Sequence, residues 1–200
     1  MENNKENFGH YQSEIQTGVS FTAFMTAVCA FFLGLLLTRL DVINITIKIP
    51  ILFLILSTFG FLFSTIIYAN ASGEITRLDK NKAKKYMMVG NVLSEYLGVY
   101  LLVLSIPLVV NAVTGDVFLM VSTFMVTIVS LFLYSISPFS IAYRYLKITP
   151  KIIFASIVVL FELFIFLAQN NFLPYFTLIA TVFLIFIIII TYYFYSLEEH

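Results

Sequence analysis

The stretch Met87–Val110, MMVGNVLSEYLGVYLLVLSIPLVV, decides the fold. Glu95 is its single charged residue, and no other charge interrupts the chain between Tyr86 and Gly115. A helix needs about 20 apolar residues to cross a hydrocarbon core about 30 Å thick, and this stretch supplies them. Four further runs read in the same way. Ile15–Thr38, Ile49–Gly73 and Val117–Tyr143 carry no charge, and Ile152–Leu197 carries only Glu162. The last run is too long for one crossing. It divides at Gln169-Asn170-Asn171, a polar turn, with Pro174 just beyond it where a new helix can begin.

The expected fold is therefore all-α: a polytopic membrane helix bundle with six transmembrane helices and both termini cytoplasmic. The spans are Thr17–Leu40, Pro50–Ala69, Met87–Val110, Val117–Ser137, Thr149–Ala168 and Leu173–Tyr195. Residues 1–16 form a polar cytoplasmic N-terminal segment, 17–195 the membrane domain and 196–200 a short cytoplasmic tail. Of the 200 residues, 60% are hydrophobic and 11% charged, and mean hydropathy is +0.99. Soluble domains run at roughly 45–50% and about 25%. A soluble fold of this size has too little interior for so much apolar surface, so the solvent is lipid.

Connections set the hairpins and the orientation. Asn111–Asp116 and Gln169–Phe172 are so short that spans 3–4 and 5–6 are antiparallel neighbours. Pro50, Pro138, Pro150 and Pro174 fall near span ends, whereas Pro107 lies inside span 3 and is expected to kink it. Nine basic residues collect on one side (Lys5, Arg77, Lys80, Lys82, Lys84, Lys85, Arg144, Lys147, Lys151) and two on the other (Arg39, Lys48). Basic loops are retained on the cytoplasmic side, which places both termini there, in the cell membrane. Met1–Gln16 is polar and mixed in charge, unlike a signal peptide, so the first span is expected to be retained. The basic group Arg77, Lys80, Lys82, Lys84 and Lys85 is a topology determinant that could also hold anionic lipid. On the opposite side, Ile43, Ile45, Ile47 and Ile49 alternate with polar residues, and this period of two predicts a short extended or interfacial piece over Asp41–Pro50. Asn44-Ile45-Thr46 also matches a glycosylation sequon.

Projection at 100° per residue sorts the faces. On span 1, Gln16, Ser20, Ala23, Ala27, Ala30, Gly34 and Thr38 fall within roughly 80° of arc, a small-residue seam suited to close helix packing. Span 2 has a shorter version in Ser57, Gly60, Ser64 and Tyr68. Asn91, Ser94, Glu95, Gly98, Leu102 and Ser105 share a face of span 3, and Thr123, Thr127, Ser130, Tyr134 and Ser137 form a hydroxyl stripe on span 4. Span 6 is nearly all apolar and reads as lipid-facing, with Tyr192, Tyr193 and Tyr195 at its interface.

Little chemistry is available. Cys29 is the lone cysteine, which excludes an internal disulfide or a cysteine metal cluster and suits a small packing residue. His10 and His200 lie outside every span, no aspartates cluster, and no phosphate-binding glycine motif occurs. No enzyme, cofactor, metal site or nucleic-acid partner is expected. Glu95 and Glu162 are the two carboxyls inside spans, and an intramembrane charge is a functional candidate by default. With no basic residue inside any span to neutralise them, each is either the neutral acid or meets water or a cation. Glu95 has the richer surroundings. It is taken as the centre of a polar pathway with Asn91, Ser94, Thr127 and Ser130, and Glu162 as a secondary, mainly structural carboxyl. Two functional readings follow: a small transporter or channel-like protein moving a proton, cation or small solute, working as a homo-oligomer, or a non-catalytic accessory or scaffold subunit docked on a membrane partner. The topology is tested by cysteine labelling from outside in a Cys29→Ala background. A cysteine at Asn44 should be modified and one at Lys82 spared; the reverse pattern overturns the orientation.

Overall fold

The computed structural model describes residues 2–38, 45–137 and 148–196, and these are all-helical without a strand. The sequon asparagine Asn44, the basic residues Arg39, Arg144 and Lys147, and the tail beyond Ser196 lie outside them. The helices are α1 (Glu2–Leu37), α2 (Ile45–Thr76), α3 (Lys80–Val92), a π-helical segment (Leu93–Tyr100), α4 (Leu101–Thr114), α5 (Val117–Ile136), α6 (Ile148–Gln169) and α7 (Phe176–Ser196). The α3–π–α4 series is one continuous helix, so six helices are long and apolar enough to cross a membrane. This is a multi-pass membrane protein.

Local chemistry explains the ends. Asp79 caps α3 by accepting the Lys82 N–H at 3.0 Å, and Asp116 caps α5 by accepting the Leu119 N–H at 3.0 Å. Gly115 ends α4 in the left-handed conformation that glycine adopts without strain (φ 62°). The polar N-terminal segment continues α1 as helix from Glu2.

Ile43 lies outside the described residues, and the alternating Ile45, Ile47 and Ile49 do not make an extended piece. From Ile45 the chain is already helical, and Pro50 sits inside α2. Ile47, Ile49 and Ile51 are all buried, because neighbours close around this end of α2 on more than one side. Pro50 has no N–H to give to the Thr46 carbonyl one turn back. Gln169, at the end of α6, supplies the missing donor: its Nε2 reaches Thr46 O at 3.0 Å and Leu108 O at 2.8 Å, while its Oε1 accepts from Asn111 Nδ2 at 2.9 Å. One buried amide thus joins α2, α4 and α6.

The core is built around the π segment. Tyr96 and Tyr100 are fully buried among Phe53 of α2, Leu104 of α4, Phe154 of α6 and Phe183 of α7. Span 6 is consequently not lipid-facing all round, for Ala180, Phe183 and Ile187 are buried. The irregularity in span 3 lies at Leu93–Tyr100, ahead of Pro107. There α2 comes into backbone contact. A Cβ on Gly60 would meet Gly98 N and Leu97 C at 2.8 Å, and one on Gly98 would meet the Phe61 ring at 2.6 Å. Ser57 uses the approach to donate to the Gly98 carbonyl at 2.8 Å.

Helix α1 packs almost wholly on α2, outside this core. Its seam is not the small-residue stripe: Gln16, Ser20, Ala23, Ala27, Ala30, Gly34 and Thr38 are all exposed. Ile15, Thr22 and Cys29 are the buried positions. Thr22 and Cys29 are held by partners, the Thr65 hydroxyl donating to Thr22 at 2.8 Å and the Cys29 thiol meeting Ser57 at 3.5 Å. The span 2 stripe, by contrast, is buried throughout.

Gly60→Ala should lower stability by about 1–3 kcal/mol through backbone overpacking, whereas Gly34→Ala, with nothing within 4 Å, should be neutral or mildly stabilising. Gln169→Leu should cost about 1–3 kcal/mol by stranding the Asn111 amide and the Thr46 carbonyl. Thermal unfolding in detergent measures all three.

Candidate functional site

The two intramembrane carboxyls are both buried, Glu95 at 3% exposure and Glu162 at 0%. Ring pairs fix their relative height. Phe124 of α5 stacks on Phe166 of α6 at 4.2 Å, while Tyr100 contacts both Tyr134 of α5 (5.9 Å) and Phe154 of α6 (6.0 Å). Helices α5 and α6 therefore run antiparallel. Thr127, three residues past Phe124, is level with Glu162, four residues before Phe166. Glu95 instead lies level with Tyr134, whose hydroxyl donates to Glu95 Oε2 at 3.5 Å, the long end of the hydrogen-bond range. Seven residues of α5 separate the two levels, about 10 Å at 1.5 Å per residue.

Glu95 belongs to a tyrosine-rich belt. It stands on the π segment beside Tyr96, whose ring lies 5.4 Å from Tyr100, and the Tyr100 hydroxyl meets Ser135 Oγ at 2.7 Å. π turns inside α-helices are common at functional sites because the i→i+5 bonding widens the turn and re-aims side chains.

Asn91 and Ser94 point elsewhere. With Ser13, Glu14 and Thr17 of α1 and Tyr68 of α2 they line a cleft of about 500 Å³. The Tyr68 hydroxyl donates to Asn91 Oδ1, and Ser94 donates to the Asn91 carbonyl at 3.2 Å. Gly18 and Gly90 seat the Tyr68 ring, since a Cβ on either would lie 2.9 or 3.0 Å from it.

The expected pathway is thus divided. Ser94 and Glu95 are successive residues of the π segment and point to different sides of it, one toward α1 and α2 and the other toward α5. Thr127 is buried, but at the level of Glu162. Ser130 is exposed, because α5 buries only the strip Phe124, Thr127, Leu131 and Ser135. The side chains that do accompany Glu95 are Tyr96, Tyr100 and Tyr134. Tyr134 stood in the hydroxyl stripe; nothing in a 100° projection marks the two core tyrosines as its companions.

Glu162 is surrounded differently. Both carboxyl oxygens are buried and make no hydrogen bond among the described residues. Its neighbours one turn away on α6, Val158, Ile165 and Phe166, are apolar and buried.

At the basic turn between α2 and α3, Arg77 pairs with Glu74 at 3.0 Å and Lys82 with Asp79 at 3.4 Å. The Lys82 backbone N–H, followed by the Lys82 side chain, holds the Asp79 carboxyl below its ordinary range. Part of the positive charge there is neutralised locally, while Lys84 and Lys85 stay exposed.

No protein-family model, no curated protein and no solved structure matches this chain significantly.

Proposed function

We propose that this multi-pass membrane protein is a small transporter that moves a proton, a cation or a small solute, with the cleft at Asn91 and Ser94 as its entry and Glu95, buried on the other side of the same helix, as its titrating carboxyl. The observation that carries this reading is the polar cleft. Its wall contains Asn91 and Ser94, and the next residue is the buried Glu95 on the π segment. A solute in the cleft meets hydroxyl, amide and carboxylate groups in a protein otherwise lined with Leu, Ile and Phe. Tyr68 and Asn91 form the boundary, and Tyr134 and Ser135 extend the hydroxyl groups beyond Glu95.

The charge bias orients the cleft, its residues and both termini toward the cytoplasm of a cell membrane. Lys84 and Lys85, which project freely, are the best placed of the basic group to hold anionic lipid.

A second reading is favoured by α1. Its stripe Ala23, Ala27, Ala30 and Gly34 is exposed and unused inside the chain, as suits an accessory subunit or a homo-oligomer docking through small residues.

Flux of protons and monovalent cations into proteoliposomes separates the two. Glu95→Gln keeps shape and hydrogen bonding but removes the titrating group, so it should reduce flux to background with unchanged thermal stability, whereas Ala27→Leu should leave flux intact. Wild-type flux in Glu95→Gln overturns the transport reading. Loss of co-purifying assembly in Ala27→Leu, with flux absent throughout, selects the accessory one.

A further inference from the structure

Glu162 is used by neither reading, and it is the most unusual polar group in the molecule. A carboxyl with both oxygens buried and no donor among the described residues cannot remain a bare anion, because an isolated charge in such a medium costs far more than a fold of this size can offset. The elements packed against it bring no compensating charge. Neither Val117–Ile136 of α5, Phe176–Ser196 of α7 nor Leu101–Thr114 of α4 contains a charged residue. The titratable groups of the π segment, Glu95, Tyr96 and Tyr100, cluster with Tyr134 and Phe154, eight residues of α6 or about 12 Å away along the axis. Gln169, seven residues on, is engaged with Thr46, Leu108 and Asn111.

On α5, a buried polar group shares the level of Glu162. Thr127 on α5 is 4% exposed. Thr123, one turn earlier, donates back to the Leu119 carbonyl at 2.7 Å, as Thr58 and Thr181 do to theirs. Thr127 makes no such bond among the described residues, so its hydroxyl remains free for a partner across the helix interface. Height adds a further constraint. The 20 residues of α5 span about 30 Å, the thickness of the hydrocarbon core, and Thr127 stands at the middle of them. Glu162 is therefore at mid-membrane, and Glu95, beside Tyr134, is near the basic end.

We propose that Glu162, buried in α6 at the level of Thr127 on the neighbouring α5, is a proton-binding site at the centre of the membrane. The bound proton makes the side chain a neutral acid, and the Thr127 hydroxyl serves as its hydrogen-bond partner when the two side chains close on one another. The proposal does not depend on Glu95 being a transport carboxyl, and its readouts do not need flux.

The test uses the full-length protein in lipid vesicles. Dicyclohexylcarbodiimide is apolar and adds the O–H of a neutral carboxylic acid across its C=N bond; a water-soluble carbodiimide reaches only exposed carboxyls. Mass spectrometry of the treated wild-type protein should place most of the apolar label on Glu162 and none of the soluble label there. Infrared spectroscopy should show a neutral-carboxyl C=O band that Glu162→Gln removes and Thr127→Val moves to higher wavenumber by withdrawing the hydroxyl. Apolar label confined to Glu95 and the loop carboxyls overturns the site, and this arm needs no variant to fold. A band that survives Glu162→Gln overturns it as well, and a band unmoved in Thr127→Val removes Thr127 from it.

Discussion

The contact between Gly60 on α2 and Gly98 on the π segment is the constraint on which the rest of the bundle depends. Two helix backbones meet where neither carries a side chain, and the approach lets the Ser57 hydroxyl reach the Gly98 carbonyl. In lipid there is no hydrophobic drive between helices, so close packing and interhelical hydrogen bonds supply the attraction. The widened turn lies in the same place, with its carbonyls covered by protein rather than by hydrocarbon. Once α2 is seated there, Tyr96 and Tyr100 turn into the space that Phe53, Phe154 and Phe183 enclose, and α6 and α7 close around them.

The same centre distributes the polar groups. Tyrosines are large enough to fill a core and still carry a hydroxyl, so one set of residues both packs the interior and accompanies Glu95. The cleft at Asn91 and Ser94 opens on the other side of the same helix, toward α1 and α2. Glu162 has no share in either arrangement. Its neighbours one turn away on α6 are apolar and buried, and that contrast distinguishes it from Glu95 in its tyrosine belt.

The six crossings were legible because length and apolar content are physical requirements of a span, and each was met without ambiguity. Faces were less so. The small residues of α1 formed a convincing seam at 100° spacing, yet Ile15, Thr22 and Cys29 are the ones buried, because the partner's Thr65 and Ser57 match them and a projection carries no information about the partner. The expected pathway of Glu95, Asn91, Ser94, Thr127 and Ser130 does not share one face: Asn91 and Ser94 line a cleft toward α1 and α2, Glu95 is buried toward α5, and Ser130 is exposed on a helix whose buried strip is too narrow to include it. The alternating isoleucines misled for a related reason: burial on several sides erases the difference between a period of two and a helix. Gln169 read as a turn residue, since its three partners on α2 and α4 are 58 to 123 positions away.

That glutamine also bears on how the protein is made. Spans leave the ribosome in order, and α2 is complete long before α6 exists. Until the fifth span arrives, the first turns of α2 lack the Gln169 amide that reaches the Thr46 carbonyl, to which Pro50 has no N–H to give, in a segment due to enter lipid. The early hairpin of α1 and α2 must therefore keep this end at the watery surface, or beside the insertion machinery, while three more spans are threaded. Only when Gln169 docks does the end of α2 become fit for burial, so the fifth span seals a defect present since the second.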